Sequence, residues 1–125
     1  MSDPRHLLGI TAEEAVACWL KRAGWTIRAR RERRPGGGEI DVVAVDPAGT
    51  LVAIEVRARR TSRTGAAVAT VDAHRVARIG RTLVAHARVS GRAWSGLRVD
   101  LVTVEPLPDA PRRWRLRRLP GLATA

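Results

Sequence analysis

The sequence predicts one small α/β domain, a mixed β-sheet flanked by helices, in the order helix, three strands, helix and one or two further strands. Three observations carry the prediction. Apolar residues recur at helical spacing in two segments, residues 12–23 and 72–86. Two short apolar runs, 39–45 and 51–56, flank Asp46-Pro47-Ala48-Gly49, an order that suits a type I turn and hence an antiparallel pair. A third apolar run, 97–105, follows the second helix, where a right-handed crossover would return the chain parallel to the sheet. With 125 residues there is material for one hydrophobic core and not for two, so a single domain spanning 1–125 is expected.

The first helix has two plausible starts. Asp3-Pro4 can cap and open it, or Thr11-Ala12-Glu13-Glu14 can form a capping box. Both lead into the stripe Ala12, Val16, Trp19, Leu20 and Ala23, which Gly24 closes. Glu13 lies near that stripe, and Glu14 is turned towards water. Trp25 to Arg30 alternates as a strand, and its Arg and Thr positions suit an edge. Arg33-Arg34-Pro35-Gly36-Gly37-Gly38 is a turn whose glycines allow close approach of another group, a phosphate included. It is no P-loop, because the lysine and the following Ser or Thr are missing. Residues 39–45 and 51–56 are the two strong strands. Residues 57–65 are basic and polar and are expected as an exposed loop. The second helix sets Val76, Ile79, Leu83 and Ala87 on one face. The strand 97–105 is apolar on both faces, which argues for an internal place in the sheet. After a turn at 106–111, residues 114–119 suit a last edge strand.

The net charge is +11, with 23 basic residues against 12 acidic ones. Such a charge concentrates polyanions, so nucleic acid is the partner it suggests. Only Lys21 among the basic residues is a lysine, however, so an arginine-biased composition with a merely basic surface is the competing explanation. Of the acidic residues, only Asp72, Asp100, Glu105 and Asp109 follow residue 60, which sets an acidic cluster inside a positive field. Cys18 is alone, which excludes an intrachain disulfide and a multi-cysteine metal site. No apolar run approaches the roughly 20 residues of a membrane helix. The opening MSDPRHLLG is too polar for a signal peptide, so a cytoplasmic protein that engages no membrane is expected. His6, His74 and His86 lack a supporting arrangement and are expected at the surface or a helix edge. Cys18, Trp25, Trp94 and Trp114 are expected to pack.

The chemistry concentrates in the hairpin. The two-residue strand period puts Glu39 and Asp41 on one face of their strand, and Glu55 and Arg57 on one face of the next. The short turn makes Asp41 and Glu55 neighbours. Two carboxylates held close repel unless a proton or cation lies between them, and a hard divalent ion such as Mg2+ or Mn2+ suits oxygen ligands. The alternative is a sheet face on which Glu39, Asp41 and Glu55 pair with Arg57 and other arginines. Spacing alone leaves both open.

Gly9-x-x-Ala12-Glu13, Trp19-Leu20, Gly24-Trp25, Gly38-Glu39-Ile40-Asp41, Glu55-Val56-Arg57-x-Arg59 and Arg98-Val99-Asp100 together resemble the YraN family, the uncharacterised protein family 0102. The resemblance runs from about residue 7 to 119. That family is similar to the PD-(D/E)XK nucleases and to archaeal Holliday-junction resolvases. The resemblance therefore implies a restriction-endonuclease-like core of αβββαβ type, with a further C-terminal strand accommodated. It also implies Mg2+ or Mn2+ at Asp41 and Glu55, with the Val56 carbonyl as a further ligand and Glu13 completing the site. Arg57 stands where that pattern has lysine. An arginine stays protonated, so it can neutralise a phosphate but is a poor proton carrier.

Two functions follow as expectations. One is a divalent-metal-dependent nuclease using Asp41, Glu55, Arg57 and Glu13. The other is a catalytically weak or inactive nucleic-acid-binding protein on the same fold. In either case Arg57, Arg59, Arg60, Arg63 and Arg75 would contact nucleic acid, with DNA the expected polymer. A resolvase-like role would call for a homodimer, since two opposed strands need two sites.

Overall fold

The first helix, α1 (Pro4–Arg22), begins at the earlier of the two starts, with proline at the position where a missing N–H costs nothing. It ends where Gly24 turns left-handed, at φ +90°, and the Trp25 N–H reaches back to the Leu20 carbonyl at 3.0 Å. The computed structural model describes residues 4–58, 72–107 and 109–122, with residues 4–10, 111 and 112 as backbone alone. After α1 come β1 (Thr26–Glu32), β2 (Ile40–Val45), β3 (Thr50–Ala58), α2 (Ala73–Ser90), β4 (Gly96–Leu107) and β5 (Ala110–Leu119). The order is αβββαββ, so the additional C-terminal strand is present.

The strands form one sheet in the order β1-β2-β3-β4-β5. Neighbours are antiparallel except β3 and β4, which run parallel, with α2 as the crossover between them. This is the arrangement expected of a restriction-endonuclease-like core, with β4 internal and β1 and β5 at the edges. Among the described residues no helix is long and apolar enough to cross a membrane.

Strand pleating divides the core into two layers. Val16, Leu20 and Trp25 pack on Val42, Ala44, Val52, Ile54, Val102 and Val104 on the α1 side. Val76, Ile79 and Leu83 pack on Ile40, Val43, Leu51, Ala53 and Val99 on the α2 side. Fully burying one such aliphatic side chain is worth roughly 1.5–3 kcal/mol, and both layers use several.

Four expectations need correction. Trp19 is 37% exposed, because the buried arc of α1 is centred between Val16 and Leu20 and Trp19 lies about 90° round the helix from it. Cys18, beside it, is exposed rather than packed. His86 is no surface residue: it is 9% exposed, accepts from Arg28 Nε through Nε2 at 3.2 Å, and faces Glu32 with Nδ1 at 3.4 Å. Arg57 belongs to β3 instead of a loop, while residues 59–71 lie outside the described residues.

The glycine turn packs on a helix. The Gly38 N–H donates to the Arg78 carbonyl at 3.0 Å, and Thr82 Oγ1 donates to the Gly38 carbonyl at 2.5 Å. A Cβ on Gly37 would collide with Thr82 Oγ1, so the backbone can lie this close to α2 only without a side chain there.

The Arg98-Val99-Asp100 segment forms a structural knot at the other end of the sheet. Asp100 is fully buried and accepts from Arg98 Nε at 2.8 Å and Nη2 at 3.1 Å, from Arg118 Nη1 at 3.0 Å and from the Gly121 N–H at 2.9 Å. Arg98 also reaches Asp46 Oδ2 at 3.2 Å, which ties the β2–β3 turn to β4 and to the segment after β5. Burial alone would raise the Asp46 carboxyl, but the Thr50 and Ala48 N–H groups and Arg98 outweigh it and hold that carboxyl below its usual range.

Candidate functional site

Beyond the Val42–Ile54 pair, the β2–β3 ladder gives way to a side chain: the Val56 N–H donates to Asp41 Oδ2 at 2.8 Å. That bond brings the Asp41 carboxylate over β3, within the field of the Glu55 carboxyl. Asp41 and Glu55 therefore come together as the hairpin predicts. The Asp41 carboxyl is pushed up to about 7, first by burial and then by the Glu55 charge, with Glu13 adding to the push. The Val56 N–H opposes the rise without cancelling it. Close to neutral pH the pair thus holds a proton where a cation would also be favourable.

Glu55 is 3% exposed, and both of its oxygens face one guanidinium: Arg75 Nε lies 3.1 Å from Oε2, and Arg75 Nη2 lies 3.0 Å from Oε1. Arg75 sits in the first turn of α2, where its N–H is capped by Asp72 Oδ1 at 2.7 Å. The cap fixes the turn, and the turn aims the arginine fork.

Glu13 is 8% exposed and is held by two consecutive arginines, with Arg31 Nε at 3.3 Å and Arg30 Nη2 at 3.7 Å. In a regular strand these two side chains would point to opposite faces. Arg31 breaks the alternation by adopting φ +53°, a left-handed conformation that costs a non-glycine residue about 1–3 kcal/mol. No residue type at this position signals that twist, so the double clamp on Glu13 is invisible in the sequence.

Glu39 departs from the period-two prediction. It precedes β2 and is gripped by Arg33, Nη2 at 2.6 Å and Nε at 2.7 Å. Arg57 is half-buried on the Glu55 face, and its Nε is buried without a hydrogen-bond partner among the described residues. Arg59, Arg60 and Arg63 lie outside the described residues.

Asp41 opens into a cleft of about 470 Å³ whose wall includes Glu39, Arg33, Arg34, Arg75 and Arg78. Arg33, Arg34 and Arg78 are the functional candidates that sequence reasoning missed. The available signal was the packing of the glycine turn on α2, which no linear pattern announces. A larger groove of about 810 Å³ lies away from the carboxylates, beside Leu83, Val84, Leu97 and Leu122, and offers no acid–base chemistry.

Among the described residues no three His, Cys, Asp or Glu side chains form a group able to hold a metal ion. Asp41 and Glu55 make a two-carboxylate set, which fits Mg2+ or Mn2+ in the mode where water and substrate phosphate complete the shell. The cation would replace the proton of the pair, and Arg75 would have to release one Glu55 oxygen.

Comparison with known proteins gives a consistent result. Residues 12–104 match the family described as Uncharacterised protein family UPF0102. A UPF0102 protein of Deinococcus radiodurans is 39% identical over 110 residues, covering 86% of this chain and 89% of that one. Similar proteins occur in Desulfosudis oleivorans, 34% identical over 105 residues with 84% of each chain covered, and in Symbiobacterium thermophilum, 38% identical over 109 residues with 87% and 91% covered.

Proposed function

This chain belongs to the uncharacterised protein family UPF0102, and on that premise we propose that it is a nucleic-acid phosphodiester hydrolase working with Mg2+ or Mn2+ at Asp41 and Glu55. The observation that carries the reading is the forced pair. Asp41 opens into the arginine-walled cleft beside the buried Glu55, and burial together with the Glu55 charge pushes its carboxyl up to about 7.

A divalent cation bound there would supply charge neutralisation and an activated water. The residues of the chain do the rest. The Val56 N–H keeps the Asp41 carboxylate oriented, and Asp41 and Glu55 would hold the cation. Arg78 on the cleft wall would hold phosphate oxygens, joined by Arg75 and Arg33 where each gives up part of its hold on Glu55 and Glu39. Glu13, clamped by Arg30 and Arg31, acts through its field by keeping Asp41 hungry for positive charge. Arg57 stabilises the charge that develops on the phosphorus oxygens, and takes no proton.

A second reading is favoured by one contact: the two-armed hold of Arg75 on Glu55 satisfies that carboxylate without any cation. On this reading the protein binds nucleic acid and does not cut it. Incubating labelled single-stranded, duplex and four-way-junction DNA, and RNA, with Mn2+ or Mg2+ separates the two. Cleavage by the wild type that disappears in Asp41→Asn supports hydrolysis. Binding without cleavage across all substrates and both metals would sink hydrolysis and leave the binding reading.

A further inference from the structure

Edge strand β5 carries a row of arginines that neither the fold nor the cleft uses. Arg113, Arg115 and Arg117 are exposed, and they alternate with Trp114 and Leu116, which pack against the α1-side core. The pleat therefore turns the arginines to the opposite, α2 side of the sheet. Register fixes where that row leads. Arg117 pairs with Thr103 in β4, and Thr103 pairs with Arg57 in β3. One step along, Leu119 pairs with Leu101, which pairs with Glu55. Residues directly paired across strands share a face, so the β5 row, Arg57 and the Glu55 carboxylate all stand on the same side of the sheet. Two strand spacings, about 10 Å, separate Arg117 from Arg57.

The row is also uncompensated. Arg118, on the other face, is held by the buried Asp100, whereas Arg113, Arg115 and Arg117 meet no carboxylate among the described residues. Glu105 lies across from Arg115 in register, yet it is 1% exposed and neither of its oxygens has a partner among the described residues, so it makes no pair with that arginine. Exposed charge repeating every second strand residue, about 6.8 Å apart, presents one line of donors, and one line of donors fits one line of phosphates.

We propose that Arg113, Arg115 and Arg117 form a track along β5 for the sugar-phosphate backbone of one nucleic-acid strand that also engages the Asp41 cleft. This rests on the nucleic-acid reading of the cleft and adds to it a second, separable contact surface. A row that merely guards the sheet edge against pairing would need charge too, but would leave nucleic-acid binding unchanged.

The test is the salt dependence of binding to a labelled single-stranded oligonucleotide long enough to reach from β5 to the cleft. Three variants are compared with the wild type: the triple Arg113→Gln, Arg115→Gln, Arg117→Gln; the same three positions changed to Lys; and Asp41→Asn. The Gln triple is expected to weaken binding and to flatten the slope of log K against log salt by about 2, since each phosphate contact on a single strand contributes about 0.7. The Lys triple should keep the wild-type slope, and thermal melts confirm that both triples fold. An unchanged slope in the Gln triple overturns the track, as does absence of wild-type binding. If the slope falls as expected but Asp41→Asn cuts as well as the wild type, or nothing is cut, the track stands and the hydrolase reading fails alone.

Discussion

Asp41 is the residue in which geometry and chemistry meet, and its ionisation gives a sign that can be checked. Its folded carboxyl titrates at about 7 against an ordinary 3.8, because burial and the Glu55 charge both oppose ionisation. A raised carboxyl contributes stability that is complete below the unfolded value and is lost as pH rises through the folded one. Asp41→Asn carries no such charge, so its melting temperature relative to the wild type should be most favourable at pH 8 and should fall back steadily from pH 7 towards pH 4. Parallel melts in chelator would detect this, and a pH-independent difference would mean that the Asp41 carboxyl is not raised in the folded protein. Mn2+ should raise the wild-type melting temperature more at pH 8 than at pH 6, since it competes with the same proton, and should do little for the variant. Arg75 gives the complementary case. Removing it leaves Glu55 buried without its fork, so Arg75→Ala should cost roughly 1–3 kcal/mol in urea unfolding, limited by the partial exposure of the guanidinium. Added divalent cation should recover part of that loss, because it offers Glu55 another positive partner.

At the scale of elements, each piece of the cleft is positioned by a contact between segments distant in sequence. The glycine turn reaches α2 across 44 residues through the Thr82–Gly38 hydrogen bond and brings Arg33 and Arg34 to face Arg75 and Arg78. Gly37→Ala should therefore destabilise by about 1–3 kcal/mol through overpacking against Thr82, and should also weaken oligonucleotide binding by moving that wall. Equal stability of the variant would show that the turn does not rest on the helix. Helix α2 aims Arg75 only because its Asp72 cap fixes the first turn. Strand β1 contributes through the left-handed Arg31, whose strained backbone lets it join Arg30 in clamping Glu13. These effects were not legible beforehand because each depends on which surfaces meet, whereas the hairpin joining Asp41 to Glu55 depends only on a short turn and the strand period.

For the whole molecule, the sheet has two poles of opposite character. One pole closes on the buried Asp100 with its two arginines, and the other opens at Asp41, beside the buried Glu55. Asp100→Asn should cost about 3–5 kcal/mol, since it leaves Arg98 and Arg118 facing a neutral group at the junction of β4, β5 and the β2–β3 turn. A loss below 1 kcal/mol in denaturant unfolding would contradict that role. Among the described residues, Arg98 and Arg118 are held by the buried Asp100 and the cleft-wall Arg33, Arg34 and Arg75 pair with Glu39, Glu32 and Glu55, whereas Arg113, Arg115 and Arg117 on β5 meet no carboxylate. By itself the sequence determined the two helices, the strong hairpin, the parallel return of β4 and the pairing of Asp41 with Glu55. All of these follow from local periodicity and short connections. Only the tertiary structure decided that Glu39 pairs with Arg33 and not with the cluster, that His86 is buried, and that the Arg98-Val99-Asp100 segment is a structural knot. It likewise decided that the glycine turn rests on α2 and that the β5 arginines share a face with Glu55. Those outcomes depend on register between strands and on helix-to-loop packing, which are set by contacts across the fold and leave no period along the chain.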